Sequence, residues 1–286
     1  MLTILLDGLA YGMLLFILAV GLCVTLGLMN FINLAHGAFA MAGGYLTITL
    51  MQQHGVPFLL CLPAAFIFAA LLGIVMERAL YRHLYDKTHL DQVLFSIGLV
   101  FVSIAIVDYA YGAAQQMVTL PSYLTGRVYF LGGSIGIYRI FVIAICGALV
   151  LGLQLVLTKT RFGSRLRAAV DDGRVARGMG IDVTRIFAVT FAFGSGLAGL
   201  GGALGTGIIS FDPTFPLKYM IFFLIVISVG GTTTISGPFF ASILLGVADI
   251  AGKYYIPEIG GFIIYTIMVL VLIVRPQGLF ARAPAR

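Results

Sequence analysis

The sequence predicts an all-α, polytopic integral membrane protein: a single transmembrane domain over residues 1–286, with about eight or nine transmembrane helices, one or more of them broken or re-entrant. Three observations carry the prediction. Hydrophobic residues make up 60% of the chain and charged residues 10%, with a mean hydropathy of +1.09. That leaves too little polar surface to clothe a water-soluble globule of this length. Apolar segments of about 20 residues, the length that crosses a bilayer as a helix, recur from one end to the other. Residues 158–185 form the one long hydrophilic stretch among them.

In chain order the apolar segments are 8–29, 31–50, 57–76, 92–112, 139–157, 186–208, 217–231, 238–251 and 260–274. The first thirty residues lack a basic region ahead of the apolar run, and that run is longer than a signal sequence needs, so it reads as a retained first span. Segment 31–50 is open to two readings, spanning or re-entrant; the re-entrant one lowers the count to eight and moves the N-terminus to the other side. Segments 217–231 and 238–251 are short for a bilayer and joined by the Thr- and Gly-rich GGTTTISG, so tilted or half-buried helices are expected there.

Basic residues set the orientation, because cytoplasmic loops carry the excess of Lys and Arg. Placing 158–185 inside also places Arg78, Arg82, Lys87, Arg275, Arg282 and Arg286 inside, and leaves Arg127, Arg139, Lys218 and Lys253 outside. With nine spans the N-terminus is then external. The net charge of +6 is explained by these loops, and no nucleic-acid motif accompanies it. The longest external stretch, 111–138, contains Pro121, Gly126 and the pair Gly132-Gly133. It is expected to be a folded loop, either a landing place for a solute-delivering protein or a passive connection.

The hydrophilic stretch reads TKTRFGSRLRAAVDDGRVARGMGIDVTR. Lys159, Arg161, Arg165, Arg167, Arg174, Arg177 and Arg185 outweigh Asp171, Asp172 and Asp182, so it faces water. Leu166, Ala169 and Val170 recur at helical spacing, Asp172 suits an N-cap, and Val175 with Met179 continues an apolar stripe to Gly180, a helix terminator. Two short amphipathic helices on a membrane surface are expected. They are either a basic loop held by anionic lipid or a docking platform for a cytosolic partner.

Polar and small residues mark two further places. Asn30, Asn33 and His36 stand in an apolar context ahead of Gly37, Gly43 and Gly44. Buried polar groups in a membrane either line a cavity or bond neighbouring helices, so a broken helix facing a translocation pathway and a packing role both remain open. In FGSGLAGLGGALGTG, Gly194, Ala198 and Gly202 form one row and Ser195, Gly199 and Ala203 the next, which is the pattern of close helix packing within the chain or against another subunit. Ser195 between glycines has no base near it in sequence, so a nucleophile is not indicated. His36 has no histidine or cysteine at ligand spacing, so no metal site is expected. Cys23, Cys61 and Cys146 lie in apolar segments as packing residues. Asp108 and Asp249 lie near expected span ends, where interfacial water solvates them. No phosphate-binding loop occurs, so no nucleotide or other cofactor is expected on this chain.

The run FGSRLRAAVDDGRVARGMGI resembles the cytoplasmic coupling loop of ABC importer permeases, specifically the LivH-type branched-chain amino acid permease family. Phe162, Gly163, Leu166, Arg167, Ala168, Asp172, Ala176, Gly180 and Ile181 fit that family's pattern in order, and Gly173 and Gly178 depart from it. Asn33, Ala35, His36 and Gly37 resemble the family's N-x-A-H-G element. Lys218, Gly230, Gly231, Gly237, Pro238 and Gly246 resemble its second-half pattern, with a Thr232-Thr233-Thr234 spacer in place of a glycine-containing turn, and VRPQGLF at 274–280 resembles its ending. The resemblance implies a non-enzymatic permease subunit of a bacterial inner-membrane ABC importer for branched-chain amino acids or related small polar solutes. It implies a second homologous permease subunit, two cytosolic ATPase subunits that bind the ATP and Mg, and an external solute-binding protein. It casts 158–185 as the coupling loop and Asn30, Asn33, His36 and Gly37 as pathway residues, while Gly194, Ala198, Gly199 and Gly202 serve helix packing. The alternative is a stand-alone ion-coupled transporter or channel, against which the sparse intramembrane charge counts.

Overall fold

A computed structural model describes residues 1–29, 31–85, 87–130, 133–231 and 234–280. Its helices are α1 (Leu2–Met29), α2 (His36–His54), α3 (Phe58–Ala79), α4 (His89–Tyr111), α5 (Ile137–Lys159), α6 (Arg161–Asp171), α7 (Gly173–Gly178), α8 (Val183–Gly205), α9 (Phe215–Gly230), α10 (Ser236–Tyr255) and α11 (Ile263–Val274). The apolar segments became α1 to α5 and α8 to α11, and the hydrophilic stretch became α6 and α7. Five of these, α1, α3, α4, α5 and α8, are long and apolar enough to cross a membrane. At 1.5 Å per residue, the 16 residues of α9 and the 12 of α11 reach about 24 and 18 Å, short of a hydrocarbon core of about 30 Å.

Successive membrane-type helices reverse direction between two ends of the bundle. One end is basic. Tyr81 and Tyr85, beside Arg78 and Arg82, pack on Phe191 and Phe187 near the start of α8. The tail joins the same end through the Leu279 N–H donating to the Val229 carbonyl and through Phe280 against Phe240. The opposite end holds the N-terminus, where Thr3 Oγ1 accepts from the Ser134 N–H and Asp7 pairs with Arg139. The segregation of basic side chains expected from the sequence is therefore present in the fold, although Arg282 and Arg286 lie outside the described residues.

The described residues of 111–138 are folded, as expected, but include two antiparallel strands. There β1 (Arg127–Phe130) pairs with β2 (Gly133–Gly136), Arg127 opposite Gly136 and Val128 opposite Ile135. Gln116 forms an isolated bridge with Phe211, tying this loop to the connection between α8 and α9.

Helices α1 and α8 are buried along most of their length, with α2, α3 and α10 packed around them and α4 and α5 at the periphery. Small residues make the centre possible. A Cβ at Gly199 would lie 2.8 Å from the Ala65 carbonyl of α3, one at Gly202 3.1 Å from the Gly44 N of α2, and one at Gly194 3.2 Å from the Gly21 Cα of α1. Ala198 between them is fully buried. The two rows thus serve packing within this chain, with α8 as the shared neighbour of three helices at backbone contact. The same device joins α1 to α10, where a Cβ on Gly246 would lie 2.7 Å from the Gly8 carbonyl.

Helix α2 starts inside the bundle. After Met29 the chain turns back, the Phe31 N–H donates to the Thr25 carbonyl, and the His36 ring comes to rest against Gly21, eight residues before α1 ends. The interruption expected around residues 31–37 is present, and Gly37 lets α9 approach, since a Cβ there would lie 3.0 Å from the Pro216 Cα. A second interruption separates α9 from α10, with Gly231 at φ +85°. Thr232 and Thr233 of its spacer lie outside the described residues.

Candidate functional site: the α5–α8 loop and the break before α2

Local chemistry dictates the two helices of the hydrophilic loop. Thr160 caps α6 by accepting from the Gly163 N–H at 3.3 Å. Asp172 ends α6 and caps α7, its Oδ1 accepting from the N–H groups of Arg174 at 2.8 Å and Val175 at 3.0 Å. Helix α7 then closes in a Schellman motif: Gly180, at φ +81°, donates to the Arg177 carbonyl, and the Ile181 N–H donates to the Ala176 carbonyl at 3.0 Å. Without a Cβ, Gly180 enters that left-handed conformation at no steric cost.

Packing decides which face points inward. Gly163 presses its α-carbon side against the Leu157 backbone, and the Arg167 guanidinium donates to the Leu157 carbonyl, so α6 is clamped to the end of α5. Leu166 and Ala169 are buried, while Phe162 and Ala168 are half-buried. Ala169, Ala176 and Val183 form a small apolar cluster of their own, with Ile181 and Phe187 against it.

One expectation changes here. Ala176, a residue of the coupling-loop pattern, is 2% exposed and belongs to the loop's own core. Val175 and Met179, expected to extend the packed stripe, are 58% and 77% exposed. The Schellman closure is the cause, because it brings Ala176 and Ile181 together on the inner side and turns residues 175 and 179 outward. The outer face of α7 therefore carries Val175 and Met179 beside exposed Arg174 and Arg177: two apolar groups in a basic surround.

The break before α2 places polar groups deep in the bundle. Asn33 is fully buried, and its Oδ1 accepts from the Tyr81 hydroxyl at 3.0 Å. His36 is 2% exposed and packs beside Phe39 and Phe223. Among the described residues Asn33 Nδ2, His36 Nε2 and the Thr190 hydroxyl of α8 have no hydrogen-bond partner. Buried polar atoms normally find a partner, so these three stand out among the buried side chains. Gln92 of α4 closes the turn by accepting from the Ile32 N–H at 3.2 Å. Asn30 lies outside the described residues.

Carboxylates are deeper than their positions in the sequence suggest. Asp249, expected at a solvated span end, is 1% exposed; it accepts from the Lys253 ammonium at 2.5 Å, one turn along α10, which neutralises it. Glu77 is buried at the basic end and accepts from the Tyr85 hydroxyl at 3.1 Å. Asp212, in the connection before α9, accepts from Lys218 at 2.5 Å and from the Thr214 N–H at 2.9 Å. Burial works to raise its pKa, but the Lys218 and Thr214 hydrogen bonds outweigh that and hold it below the ordinary carboxylate value. Glu77 and Asp212 carried no motif, and only their buried surroundings single them out.

Comparison with known proteins agrees with this architecture. The family described as "Branched-chain amino acid transport system / permease component" matches residues 4–272. The probable branched-chain amino acid transport permease protein LivH of Methanocaldococcus jannaschii is 28% identical, covering 96% of this chain and 90% of its own. The high-affinity permease protein BraD of Pseudomonas aeruginosa is 27% identical over 97% and 95%. LivM of Escherichia coli, also a branched-chain amino acid transport permease protein, is 27% identical over 92% of this chain and 67% of its own. No solved structure matches. With the family match running from the first turn of α1 to the last turn of α11, the chain belongs to the family of branched-chain amino acid transport permease components, multi-pass membrane proteins.

Proposed function

We propose that this chain is the permease subunit of a bacterial inner-membrane ABC importer for branched-chain amino acids or related small polar solutes. It forms the pathway with a second homologous permease subunit, takes solute from an external binding protein, and is driven by two cytosolic ATPase subunits that bind the ATP and Mg. The observation that carries the reading is the loop at 158–185. Two capped helices hold an apolar inner core and offer Val175 and Met179 to the exterior at the basic end. A loop that needed only charge gains nothing from exposing those two side chains. That similar proteins include both LivH and LivM, each named as a permease of branched-chain amino acid transport, supports a paired arrangement. Asn33 and His36 border the translocation route in this account, supported by their buried, partnerless nitrogens.

A stand-alone ion-coupled transporter remains the second reading, favoured by one observation: Asp249 and Glu77 are buried carboxylates of the kind that bind coupling ions. Against it, Asp249 already has an ammonium partner. One experiment separates the two. The chain is purified from its native membrane with whatever travels with it, identified by mass spectrometry, and reconstituted in vesicles for leucine uptake. ATPase subunits in the complex and uptake that needs ATP are expected; uptake by this chain alone, driven by an ion gradient, would remove the ABC reading.

A further inference from the structure

At the basic end, between α5, α6 and the start of α10, lies a cavity of about 770 Å³. Its two ends differ in chemistry. Thr158, Arg167, Thr234 and Ser236 lie at its loop end, while Val150, Leu151, Phe239 and Phe240, about a turn or more further along α5 and α10, line it toward the membrane interior. Among the described residues Arg167 is the one charged residue in the lining, and the lining holds no carboxylate. The guanidinium is held at the rim by its bond to the Leu157 carbonyl and has no further partner among the described residues, so most of its five N–H donors remain for a ligand. The apolar end opens sideways, for Leu151 and Phe240 are 64% and 52% exposed on the outer faces of α5 and α10.

From this cavity we propose a bound anionic glycerophospholipid, drawn from the leaflet at the basic end. The phosphodiester meets Arg167 and the Ser236 hydroxyl, which turns from its 3.4 Å contact with Thr234, and an acyl chain runs along Leu151, Val150 and Phe239 toward the membrane interior. The order of the lining, cationic and hydroxylic at the loop and apolar toward the membrane interior, repeats the order of headgroup and tail. Basic pockets between transmembrane helices on this side recognise such headgroups. The position gives the lipid a consequence: Gly163, Leu166 and Arg167 of α6 form one wall, so a bound lipid braces α6 against α5 and α10.

The test uses the full chain, delipidated in a neutral detergent and titrated with phosphatidylglycerol or phosphatidylcholine under native mass spectrometry. One phosphatidylglycerol is expected to be retained, with phosphatidylcholine bound more weakly. Arg167→Gln should lower that affinity at least about tenfold, through loss of a charge-assisted contact. Gly147→Phe should lower it by steric blockage, since a Cβ at Gly147 meets nothing within 4 Å and the ring can enter the cavity without displacing its neighbours. Hydrogen exchange of residues 161–171 confirms that α6 remains folded in both variants. Unchanged phosphatidylglycerol affinity in the two variants would overturn the proposal. So would displacement of the lipid by glycerol phosphate alone, which would mark a free-anion site, or by leucine, which would mark a solute vestibule.

Discussion

Helix α7 is poised near its folding threshold, so its cap is a sensitive handle on the loop. Its six residues begin with Gly173 and end with Gly178, each a poorer helix former than alanine by up to about 1 kcal/mol. A single turn has no cooperative reserve of its own. What holds it are the Asp172 carboxylate on two N–H groups, the Schellman closure at Gly180, and the burial of Ala176. Asp172→Ala removes the first of these at a cost of about 1 kcal/mol, which is about a fivefold shift toward the open loop. The side chain lies outside the bilayer and touches no membrane-type helix through those bonds, so insertion and yield should be unchanged. Hydrogen exchange reads the shift directly: the amides of Met179, Gly180 and Ile181, bonded to Val175, Arg177 and Ala176, should exchange about fivefold faster. Gly178→Ala should act in the opposite sense, because its Cβ meets open space and restores up to about 1 kcal/mol of helix propensity. The double variant should therefore return toward wild-type exchange, and uptake should follow the same order. An Asp172→Ala protein with unchanged exchange across 173–181, or a double variant no better than the single one, would refute this account of what orders the loop.

Further outcomes follow from other residues. Met179→Asp and Val175→Asp should leave folding intact and weaken any partner docked on α7, read as loss of ATPase copurification. Ala176→Glu should instead unfold the loop, because it places a carboxylate in the cluster of Ala169 and Val183; faster exchange across 161–185 checks this. Gly202→Val should lower thermal stability by about 1–3 kcal/mol, since the Ala40 carbonyl and the Gly44 N leave no room for a Cβ. Asp212, with its pKa depressed in the folded state, contributes stability that is complete above its unfolded pKa of about 3.9 and is lost as pH falls through its folded value. The stability deficit of Asp212→Asn should therefore be full at neutral pH, begin to shrink near about pH 4 and vanish below the folded value.

The sequence made visible what is decided locally. Apolar runs announced the membrane-type helices, and the Asp172 carboxylate and the missing Cβ of Gly180 are local signals, so α6 and α7 were legible with their boundary. Depth was not. Asp249 reads as a span end because it stands two residues before the close of the apolar run 238–251, with Lys253 just beyond, yet α10 leans on α1 and buries it. Facing was legible only by half. Ala176, Val175 and Met179 are all apolar, and the choice among them came from the Schellman closure together with Val183 of the next helix, a contact that periodicity within α7 does not contain. The rows of small residues on α8 announced close packing, but not that α1, α2 and α3 would all meet there. Asn33 and His36 marked a break in a helix, while their burial depends on α1 continuing past them and on Tyr81 arriving from a turn 48 residues later.

Whether the exposed face of α7 meets an ATPase is tested most directly by placing Met179→Cys in a chain whose Cys23, Cys61 and Cys146 are replaced, and cross-linking it in native membranes with a short thiol-to-amine reagent. The account predicts an adduct whose peptides come from a nucleotide-binding ATPase subunit, and its loss on Val175→Asp. Modification of Met179→Cys by lipid or water alone, with no ATPase peptide attached while leucine uptake persists, would contradict it.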